Sequence, residues 1–467
     1  MEGGERGSTR TRHREGGHRV TESFLGNMTG TQKPESVSTK QERIAKLARE
    51  HPDRAFSSLN HYVDYEWVEY AYRCTRKDAA PGVDGQSAQD YAKDLQGNLA
   101  GLIDRLKSGS YRAPPVRRHY IAKSDGGQRG LGIPSFEDKV AQRAVLMLLE
   151  PIYEQDFAEG SYGFRPGRNA HQALRVVRRA LAQQGRRWVL DVDIRKYFAS
   201  IEHAKLRECL ARRVTDGVVR RLIDKWLSAG VLEEGQLHYP ENGTPEGGVI
   251  SPLLANIYLH YVVDEWYAQG VSPRLRGPST LVRYCDDFVM LFVFEEDVWR
   301  VCRVLSLRLS KYGLQLHPDK TRVVDMRIPR RWPPNKIDRE VPTSFNFLGF
   351  THVWGRSRWG MSALRQYTAK DRLARSVKAI NEWCRRMRHW PLRDQQFRLS
   401  RMLQGHYAYF GISSNIERLQ GLHRAAQHLW RKWLSRRCRG PAMSWERFLR
   451  LLARFPLPTP RIIHRYT

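Results

Sequence analysis

Apolar and acidic residues alternate in two segments of the chain in a way that is typical of β-strands. In WVLDVDI (188–194), every even-numbered position is apolar, whereas Asp191 and Asp193 occupy odd-numbered positions. This period of two predicts a buried strand that carries both aspartates on one face. In LVRYCDDFVMLF (281–292), two runs of strand-forming residues meet at Asp286 and Asp287, which predicts a hairpin with two carboxylates at its tip.

Other segments follow the helical period. EDKVAQRAVLMLLEPIYEQDF (137–157) predicts a helix that ends at Pro151, and SPLLANIYLHYVVDEWYAQ (251–269) predicts a helix that opens at Ser251. After residue 350 the strand signals fade and helices dominate, with apolar residues stepping by three and four between 419 and 433. The pattern predicts an α+β body followed by a small helical domain.

Composition places the chain among globular proteins. It has 467 residues, of which 41% are hydrophobic, and no apolar run reaches the roughly 18 residues of a membrane span. Its six cysteines are scattered without a CxxC pair, which favours a reducing compartment. We therefore expect a cytoplasmic protein of bacterial type with no membrane partner.

Positive charge is concentrated near the C-terminus. The whole chain carries 79 Lys and Arg against 49 Asp and Glu, and residues 351–467 alone hold 25 against 5. This surplus predicts a surface that binds nucleic acid, although a solvated basic face is an alternative. Arg431, Lys432, Arg436 and Arg437 fall opposite the apolar stripe and are candidate contacts. Residues 1–40, rich in Gly, Ser, Thr and Arg with one aromatic residue, predict a disordered basic tail.

Adjacent carboxylates at a hairpin tip favour a divalent cation. If the tip lies beside the end of the first strand, three carboxylates cluster, and such a cluster suits two Mg²⁺ ions of the kind that catalyse phosphoryl transfer. The alternative is that the Asp–Asp pair is an ordinary turn. Strand parity does not decide whether Asp191 or Asp193 completes the cluster.

Basic and glycine-rich loops accompany the carboxylates. Lys123 and Arg129 flank glycines in KSDGGQRGLGIP, where they are candidates for binding a triphosphate. Arg165 and Arg168 lie beside aromatic residues in YGFRPGRNAHQAL, a mixture that suits nucleic-acid contacts. GTPEGGVISPLLANIYLH places three glycines before a helix N-terminus, where a strand of nucleic acid has room to approach.

Taken together and in order, these motifs resemble those of group II intron-encoded proteins, in which a reverse transcriptase precedes a maturase domain. The resemblance runs over roughly residues 78–467. Its successive blocks are PGVDG (81–85), RGLGIPSFEDKVAQ (129–142), YGFRPGR (162–168), LDVDIRKYF (190–198), GTPEGGVISPLLANIYL (243–259), YCDD (284–287), GLQLHPDKT (313–321) and FNFLGF (345–350). Any one block is weak, whereas eight in sequence order are specific.

The resemblance implies a right-hand polymerase with fingers and an antiparallel palm over 41–350 and a helical thumb and maturase domain over 351–467. It implies RNA-directed DNA synthesis from dNTPs on an RNA template with a DNA primer or target, and binding of intron RNA to aid splicing and retrohoming. It also assigns roles to residues. Asp193, Asp286 and Asp287 match the metal-binding aspartates, Lys123 and Arg129 match triphosphate contacts, and Phe198 matches the side chain that crowds the 2′-hydroxyl.

Some positions depart from the family pattern. Glu246 stands where the family usually has a glutamine near the nucleotide, Cys285 replaces the commoner alanine of YADD, and Ala199 replaces a frequent aspartate. We also expect no endonuclease module after the maturase-like segment. Two alternative functions stay open: a non-catalytic splicing cofactor, and a related reverse transcriptase with a role in defence.

Overall fold

The computed structural model describes residues 33–122, 127–233, 235–239, 242–244, 247–329, 342–357, 359–437 and 442–466. Helices and three sheets are mixed along the chain, which confirms the predicted α+β class. None of the helices in these ranges is long and apolar enough to cross a membrane.

The elements are numbered in chain order. The helices are α1 (Glu35–Glu50), α2 (Tyr65–Cys74), α3 (Ala88–Tyr91), α4 (Leu95–Ser108), α5 (Phe136–Asp156), α6 (Ala170–Ala182), α7 (Tyr197–Ser200), α8 (His203–Ala211), α9 (Gly217–Leu227), α10 (Ser251–Leu259), α11 (Glu295–Lys311), α12 (Lys370–Arg386), α13 (Leu392–Phe410), α14 (Ile416–Leu434) and α15 (Trp445–Arg454). The strands are β1 (Val116–Ala122), β2 (Gln128–Ile133), β3 (Trp188–Asp193), β4 (Val231–Glu233), β5 (Gln236–His238), β6 (Thr280–Tyr284), β7 (Asp287–Phe292), β8 (Arg322–Asp325), β9 (Ser344–Phe347), β10 (Phe350–Arg356) and β11 (Ser362–Thr368).

The central sheet has the strand order β6-β7-β3-β8, and its neighbouring strands are antiparallel. The alternation predicted for β3 is present. Leu190 and Val192 pack into the large core that the N-terminal helices share, whereas Val189 packs into a second core on the other side. Because apolar residues are buried on both faces, the register of β3 is fixed, and with it the positions of its aspartates.

A second sheet has the strand order β2-β1-β4-β5, in which β1 and β2 precede β3 in the chain and β4 and β5 follow it. The third, C-terminal sheet has the order β11-β10-β9 and shares the second core with the central sheet through Phe345, Phe347 and Phe350. Helices α12–α15 form a separate core around Trp430 and Phe448.

The sequence pattern predicted that helices dominate after residue 350, but two strands lie beyond that position. Strands continue to Thr368, and α12 begins only at Lys370. The buried positions of β10 and β11 include His352 and Gln366, which contact each other at 3.0 Å between their Nε2 atoms. These polar side chains hide the apolar alternation that would have identified the two strands.

The predicted tail over 1–40 is also too long. Residues 1–32 lie outside the described residues, but α1 begins at Glu35 and buries Val37, Ile44 and Ala48. Since only one of these three apolar residues falls before residue 41, composition alone could not reveal the start of this helix.

Helix α5 does not end at Pro151, as the sequence pattern predicted. It continues to Asp156, and Ile152 and Tyr153 are fully buried. A proline cannot donate to the carbonyl four residues earlier. Here that carbonyl, Met147 O, accepts a hydrogen bond from Gln41 Nε2 of α1 at 2.9 Å. Tertiary contacts therefore offset the local cost of the proline.

Candidate active site

Asp193 and Asp287 lie directly opposite each other where β3 and β7 meet. Asp193 is the last residue of β3, Asp287 is the first residue of β7, and the two are paired in the antiparallel register. Directly opposed residues in such a pair have Cβ atoms about 4.5–5.5 Å apart. Asp286 precedes Asp287 in the turn, so the structure brings the three predicted aspartates together.

The turn itself is a two-residue connection between β6 and β7. Tyr284 pairs with Asp287, which leaves Cys285 and Asp286 at the tip. The predicted hairpin is present, but its tip lies one residue earlier than predicted, and Asp287 begins β7. Cys285 has φ +59°, in the left-handed region that non-glycine residues rarely adopt. The conformation of the turn is therefore specified by its surroundings rather than by the preference of its residues.

Asp191 and Asp193 share a strand but have different partners. The Asp191 carboxylate accepts from Arg322 Nε at 3.2 Å, and β8 covers that part of β3. Asp193 lies beyond this pairing, where its carboxylate is 3.2 Å from Lys320 Nζ. Its backbone carbonyl accepts from His317 N at 2.8 Å, so the segment after α11 fixes the end of β3.

Burial and the neighbouring negative charges raise the pKa values of Asp286 and Asp287. Desolvation, followed by the charges of Asp191, Asp286 and Asp193, holds the pKa of Asp287 well above its usual range. Desolvation also raises the pKa of Asp286, against the lowering effect of the Arg129 charge. These carboxylates therefore carry an excess of negative potential that a cation would relieve.

The donor set fits a divalent cation in chemistry and charge. Carboxylate oxygens are the ligands that Mg²⁺ prefers, and the backbone register places Asp193 opposite Asp287, next to Asp286, at the β3–β7 edge. In the described ranges no three His, Cys, Asp or Glu side chains are arranged to hold a metal ion as they stand, and Asp193 is paired with Lys320 instead. The fit therefore rests on the composition and charge of the cluster.

Gly243, Thr244 and Gly247 connect a glycine-containing loop to the α7 turn and to the second sheet. Thr244 N donates to Phe198 O at 2.9 Å, and Gly243 N donates to Ile201 O at 2.7 Å. Gly247 has φ +119°, and a Cβ there would lie 2.5 Å from Gly132 O of β2. The loop is therefore tied to the α7 turn, which carries Phe198, and packs closely on the second sheet.

Of the predicted nucleotide contacts, Arg129 and Phe198 are described. Arg129 lies in β2, and its charge acts on Asp286, which places the second sheet within electrostatic reach of the turn. Phe198 lies in α7, half-buried. Lys123 and Glu246 fall outside the described residues.

The prediction that Arg165 contacts nucleic acid needs correction. Its side chain is 4% exposed and forms an ion pair with Glu154 at 3.0 Å. Its Nη1 also donates to Ala158 O and Ser161 O, both at 2.8 Å. The guanidinium thus holds the chain between α5 and α6 together. Arg168 is half-exposed, with its guanidinium 5.5 Å from the centre of the Tyr162 ring, and stays a candidate contact.

The four basic residues predicted on the C-terminal surface separate into two pairs. Arg431 donates to Met443 O at 2.8 Å, and Arg437 donates to Arg388 O and Trp390 O, so these two join segments of the helical core. Lys432 and Arg436 are exposed, and their charged groups lie 5.4 and 5.1 Å from the centre of the Trp433 ring. Only this second pair keeps the predicted character of a surface contact.

Sequence reasoning missed Gln142, which binds the backbone at the end of the glycine loop. Gln142 Oε1 accepts from Val249 N at 2.7 Å and from Ile250 N at 3.3 Å. Its Nε2 donates to the buried Asp138, which also accepts from Tyr111 and Trp226. The available signal was a pair of polar residues four positions apart on the buried face of an apolar helix.

Comparison with known proteins adds independent findings. Residues 121–352 match the model of the family described as reverse transcriptase (RNA-dependent DNA polymerase). The matched segment contains the second sheet from Ile121 onward, the central sheet and all three clustered aspartates.

Several curated proteins are similar in sequence. Protein YkfC of Escherichia coli K12 is 35% identical over 387 residues, which cover 74% of this chain and 96% of that protein. The group II intron-encoded protein LtrA of Lactococcus lactis is 41% identical over 224 residues, or 47% of this chain and 37% of LtrA. Nuclear intron maturase 2 of Arabidopsis thaliana is 39% identical over 97 residues, 21% of this chain and 13% of that protein. The match thus spans nearly all of the first relative but little more than a third of the second.

Proposed function

The chain belongs to the group II intron-encoded reverse transcriptases and maturases, and from this premise we propose that it synthesises DNA on an RNA template and binds intron RNA to aid splicing and retrohoming. The observation that carries the catalytic part is the direct opposition of Asp193 and Asp287, with Asp286 in the adjoining turn. A bound cation would offset the repulsion among these carboxylates, and carboxylates are the usual ligands of catalytic Mg²⁺.

Enzymes of this family generally use divalent metal ions. We propose that Asp193, Asp286 and Asp287 hold two Mg²⁺ ions here. Bound Mg²⁺ would supply the Lewis acidity that activates a primer 3′-hydroxyl and stabilises the leaving pyrophosphate. The chain's own part is to present the three carboxylates, while Lys320 neutralises Asp193 when no cation does so. Lys320 is 59% exposed and has room to turn away.

The incoming dNTP would lie between the second sheet and the carboxylates. Arg129, whose charge already reaches Asp286, would bind the triphosphate, together with Lys123. The Phe198 ring would limit the space at the sugar of the nucleotide. Hydrogen bonds from Gly243 and Thr244 to the α7 turn would keep this ring in place. The family resemblance also implies that Glu246 contacts the primer or the nucleotide.

The helical core of α12–α15 would act as the thumb and maturase domain, beginning at about residue 369, where the strands end. The second and central sheets would then be the fingers and palm of the polymerase. Lys432 and Arg436 would bind RNA phosphates, with Arg168 as a further contact beside the central sheet. The concentration of basic residues after position 350 supports this assignment.

Primer extension separates the proposal from its alternatives. The purified chain, supplied with an RNA template, an annealed DNA primer, dNTPs and Mg²⁺, is expected to make full-length cDNA. If it made none but still promoted splicing of its neighbouring intron RNA, it would be a non-catalytic splicing cofactor. If it made cDNA but had no effect on splicing, and no intron flanked its gene, the reverse transcriptase with a defence role would be favoured.

A further inference from the structure

The turn that carries Asp286 rests on a fully buried arginine. Arg283 lies in β6, two residues before Cys285, and its side chain is 0% exposed. An arginine in the middle of an apolar strand is unusual, because burying its charge costs several kcal/mol unless every N–H finds a partner. Its contacts therefore indicate what its presence accomplishes.

The Arg283 guanidinium joins the turn to the helical segment beneath it. Nε and Nη2 donate to the two oxygens of Asp264, with Nε at 2.8 Å. Nη1 donates to Asn256 Oδ1 at 2.9 Å and to the backbone carbonyl of Cys285 at 3.1 Å. One side chain thus connects the peptide of the left-handed residue to an acid and an amide on a different element.

The other side of the turn is packed against glycine backbone. A Cβ at Gly163 would lie 2.5 Å from Cys285 N, so a larger residue at this position would collide with the backbone of the turn. Gly163 O accepts from Asn256 Nδ2 at 2.6 Å, and Asn256 is the same residue that receives Arg283. The turn is therefore held between Gly163 and the Arg283 guanidinium, and Asn256 connects the two.

Stability alone does not explain this arrangement. A buried ion pair often contributes no more to stability than apolar residues of similar volume, because its desolvation cost offsets its Coulombic gain. What an apolar pair cannot do is donate a hydrogen bond to Cys285 O. The hydrogen bond from Arg283 to Cys285 O holds the carbonyl of the residue with φ +59°. The conformation of Cys285 sets the direction in which the chain continues to Asp286 and Asp287.

We propose that Arg283 is a positioning residue that fixes the Cys285–Asp286 turn, and that Asp264 and Asn256 in turn fix Arg283. The inference rests on the proposed function, because the value of a fixed turn lies in presenting the carboxylates for catalysis. Arg283 touches no substrate, and its effect is transmitted through the backbone carbonyl of Cys285.

Arg283→Lys is the test variant, and Arg308→Lys is its matched control. Lysine keeps a cation for Asp264 but does not reach Asp264, Asn256 and Cys285 O at once. Arg308 also binds the segment beneath the turn, donating to Val262 O and Tyr261 O, both at 3.1 Å, without touching the turn. Both variants lose guanidinium hydrogen bonds to the helical segment beneath the turn. Only Arg283→Lys also loses the hydrogen bond to Cys285 O.

Three measurements on the full chain decide the outcome. Hydrogen exchange of the peptide covering 281–292 should accelerate at least about tenfold in Arg283→Lys and hardly at all in Arg308→Lys. Mn²⁺ binding followed by electron paramagnetic resonance should weaken in Arg283→Lys only. In primer extension, kcat should fall by about 10–100-fold with little change in the KM for dNTP, because misplaced carboxylates slow the chemical step.

Asn256→Ala should reproduce the faster exchange more mildly, and it serves as the second variant if Arg283→Lys does not fold. The inference would be overturned if hydrogen exchange at 281–292 were unchanged in Arg283→Lys and Asn256→Ala. It would also be overturned if exchange accelerated equally in Arg308→Lys. Absence of cDNA from the wild type would refute the proposed function but not the positioning role, since exchange and Mn²⁺ binding report on the turn without catalysis.

Discussion

At Asp193 and Asp287 the chain accepts an electrostatic cost that folding alone does not require. Two carboxylates face each other across neighbouring strands, and a third follows in the turn, so that desolvation and repulsion raise the pKa of Asp287 well above its usual range. Like charges placed directly opposite in a sheet are destabilising. A bound cation reverses the sign of this interaction, which is why the cluster is consistent with metal-dependent chemistry.

Removal of one of these ligands should abolish DNA synthesis without affecting RNA binding. We expect Asp286→Ala to lower primer-extension kcat by at least about 100-fold, since metal coordination supplies several kcal/mol of transition-state stabilisation. RNA affinity should change little, because one carboxylate hardly alters the basic surface. Asp319→Ala, which removes a carboxylate whose side chain is 88% exposed, is the control and should keep full activity. Substantial DNA synthesis by Asp286→Ala would refute the assignment of this residue as a ligand.

Residue types alone could not separate contacts from structural groups. Arg165 and Arg168 stand three positions apart in one motif, yet only Arg165 is buried in an ion pair. Similarly, Arg431 and Arg437 donate to backbone carbonyls, whereas Lys432 and Arg436 are exposed. The difference depends on which carbonyls the fold brings near each guanidinium, and that information is absent from the local sequence.

At the scale of elements, strand alternation predicted β3 and the β6–β7 hairpin because apolar residues occupy most of their positions, despite the buried Asp191 and Arg283. It failed for β10 and β11 because His352 and Gln366 take buried positions in them. The end of α5 was predicted wrongly at Pro151. The hydrogen bond that the proline cannot make to Met147 O is replaced by one from Gln41, which lies in a helix more than a hundred residues earlier in the chain. Local patterns therefore predicted the elements that pack through apolar side chains and missed those completed by distant polar partners.

The contact at Pro151 can be measured. We expect Gln41→Ala to lower the free energy of unfolding by about 1–3 kcal/mol, because Met147 O would be left without a donor. Arg43→Ala, an exposed change on the same helix, is the control and should cost much less. Urea denaturation of both variants provides the comparison, and equal stabilities would contradict the role of Gln41.

The network behind the glycine loop predicts a pH effect. Burial raises the pKa of Asp138 to about 6 from an ordinary 3.8. Because the folded-state pKa lies above the unfolded one, the folded chain binds more protons in this window, and the contribution of Asp138 to stability is lost as the pH rises through about 6. In Asp138→Asn this loss should be absent.

As the pH rises from about 4 to about 7, the free energy of unfolding of the wild type should therefore fall by up to about 3 kcal/mol relative to that of Asp138→Asn. Urea denaturation at several pH values measures this difference. Asp104→Asn, an exposed substitution in α4, is the control and should give curves parallel to the wild type. Parallel curves for Asp138→Asn itself would show that the carboxyl titrates alike in both states.

At the scale of the whole molecule, charge is distributed unevenly along a chain of net charge +30. Composition predicted the basic C-terminal region, and the fold adds that its helices have a core of their own around Trp430 and Phe448. The boundary of this region could not be read from sequence, because the C-terminal sheet shares its core with the central sheet.

The exposed pair Lys432 and Arg436 tests whether this surface binds RNA. We expect neutralisation of both to glutamine to weaken RNA binding and to reduce the slope of log K against log salt by about 1.4–2, because two phosphate contacts would be lost. Lys46→Gln with Lys93→Gln is the control of equal charge change on exposed helices of the N-terminal half, where the side chains are 74% and 77% exposed. An unchanged slope in the Lys432 and Arg436 variant would show that RNA binds elsewhere.

The most direct measurement compares two aspartates of one strand. Asp191 and Asp193 share a face of β3, but only Asp193 lies opposite Asp287, whereas Asp191 is bound by Arg322. In primer extension on an RNA template with Mg²⁺, Asp193→Asn should lose cDNA synthesis and Asp191→Asn should retain most of it once corrected for the folded fraction. Activity in Asp193→Asn, or its loss only in Asp191→Asn, would contradict the account.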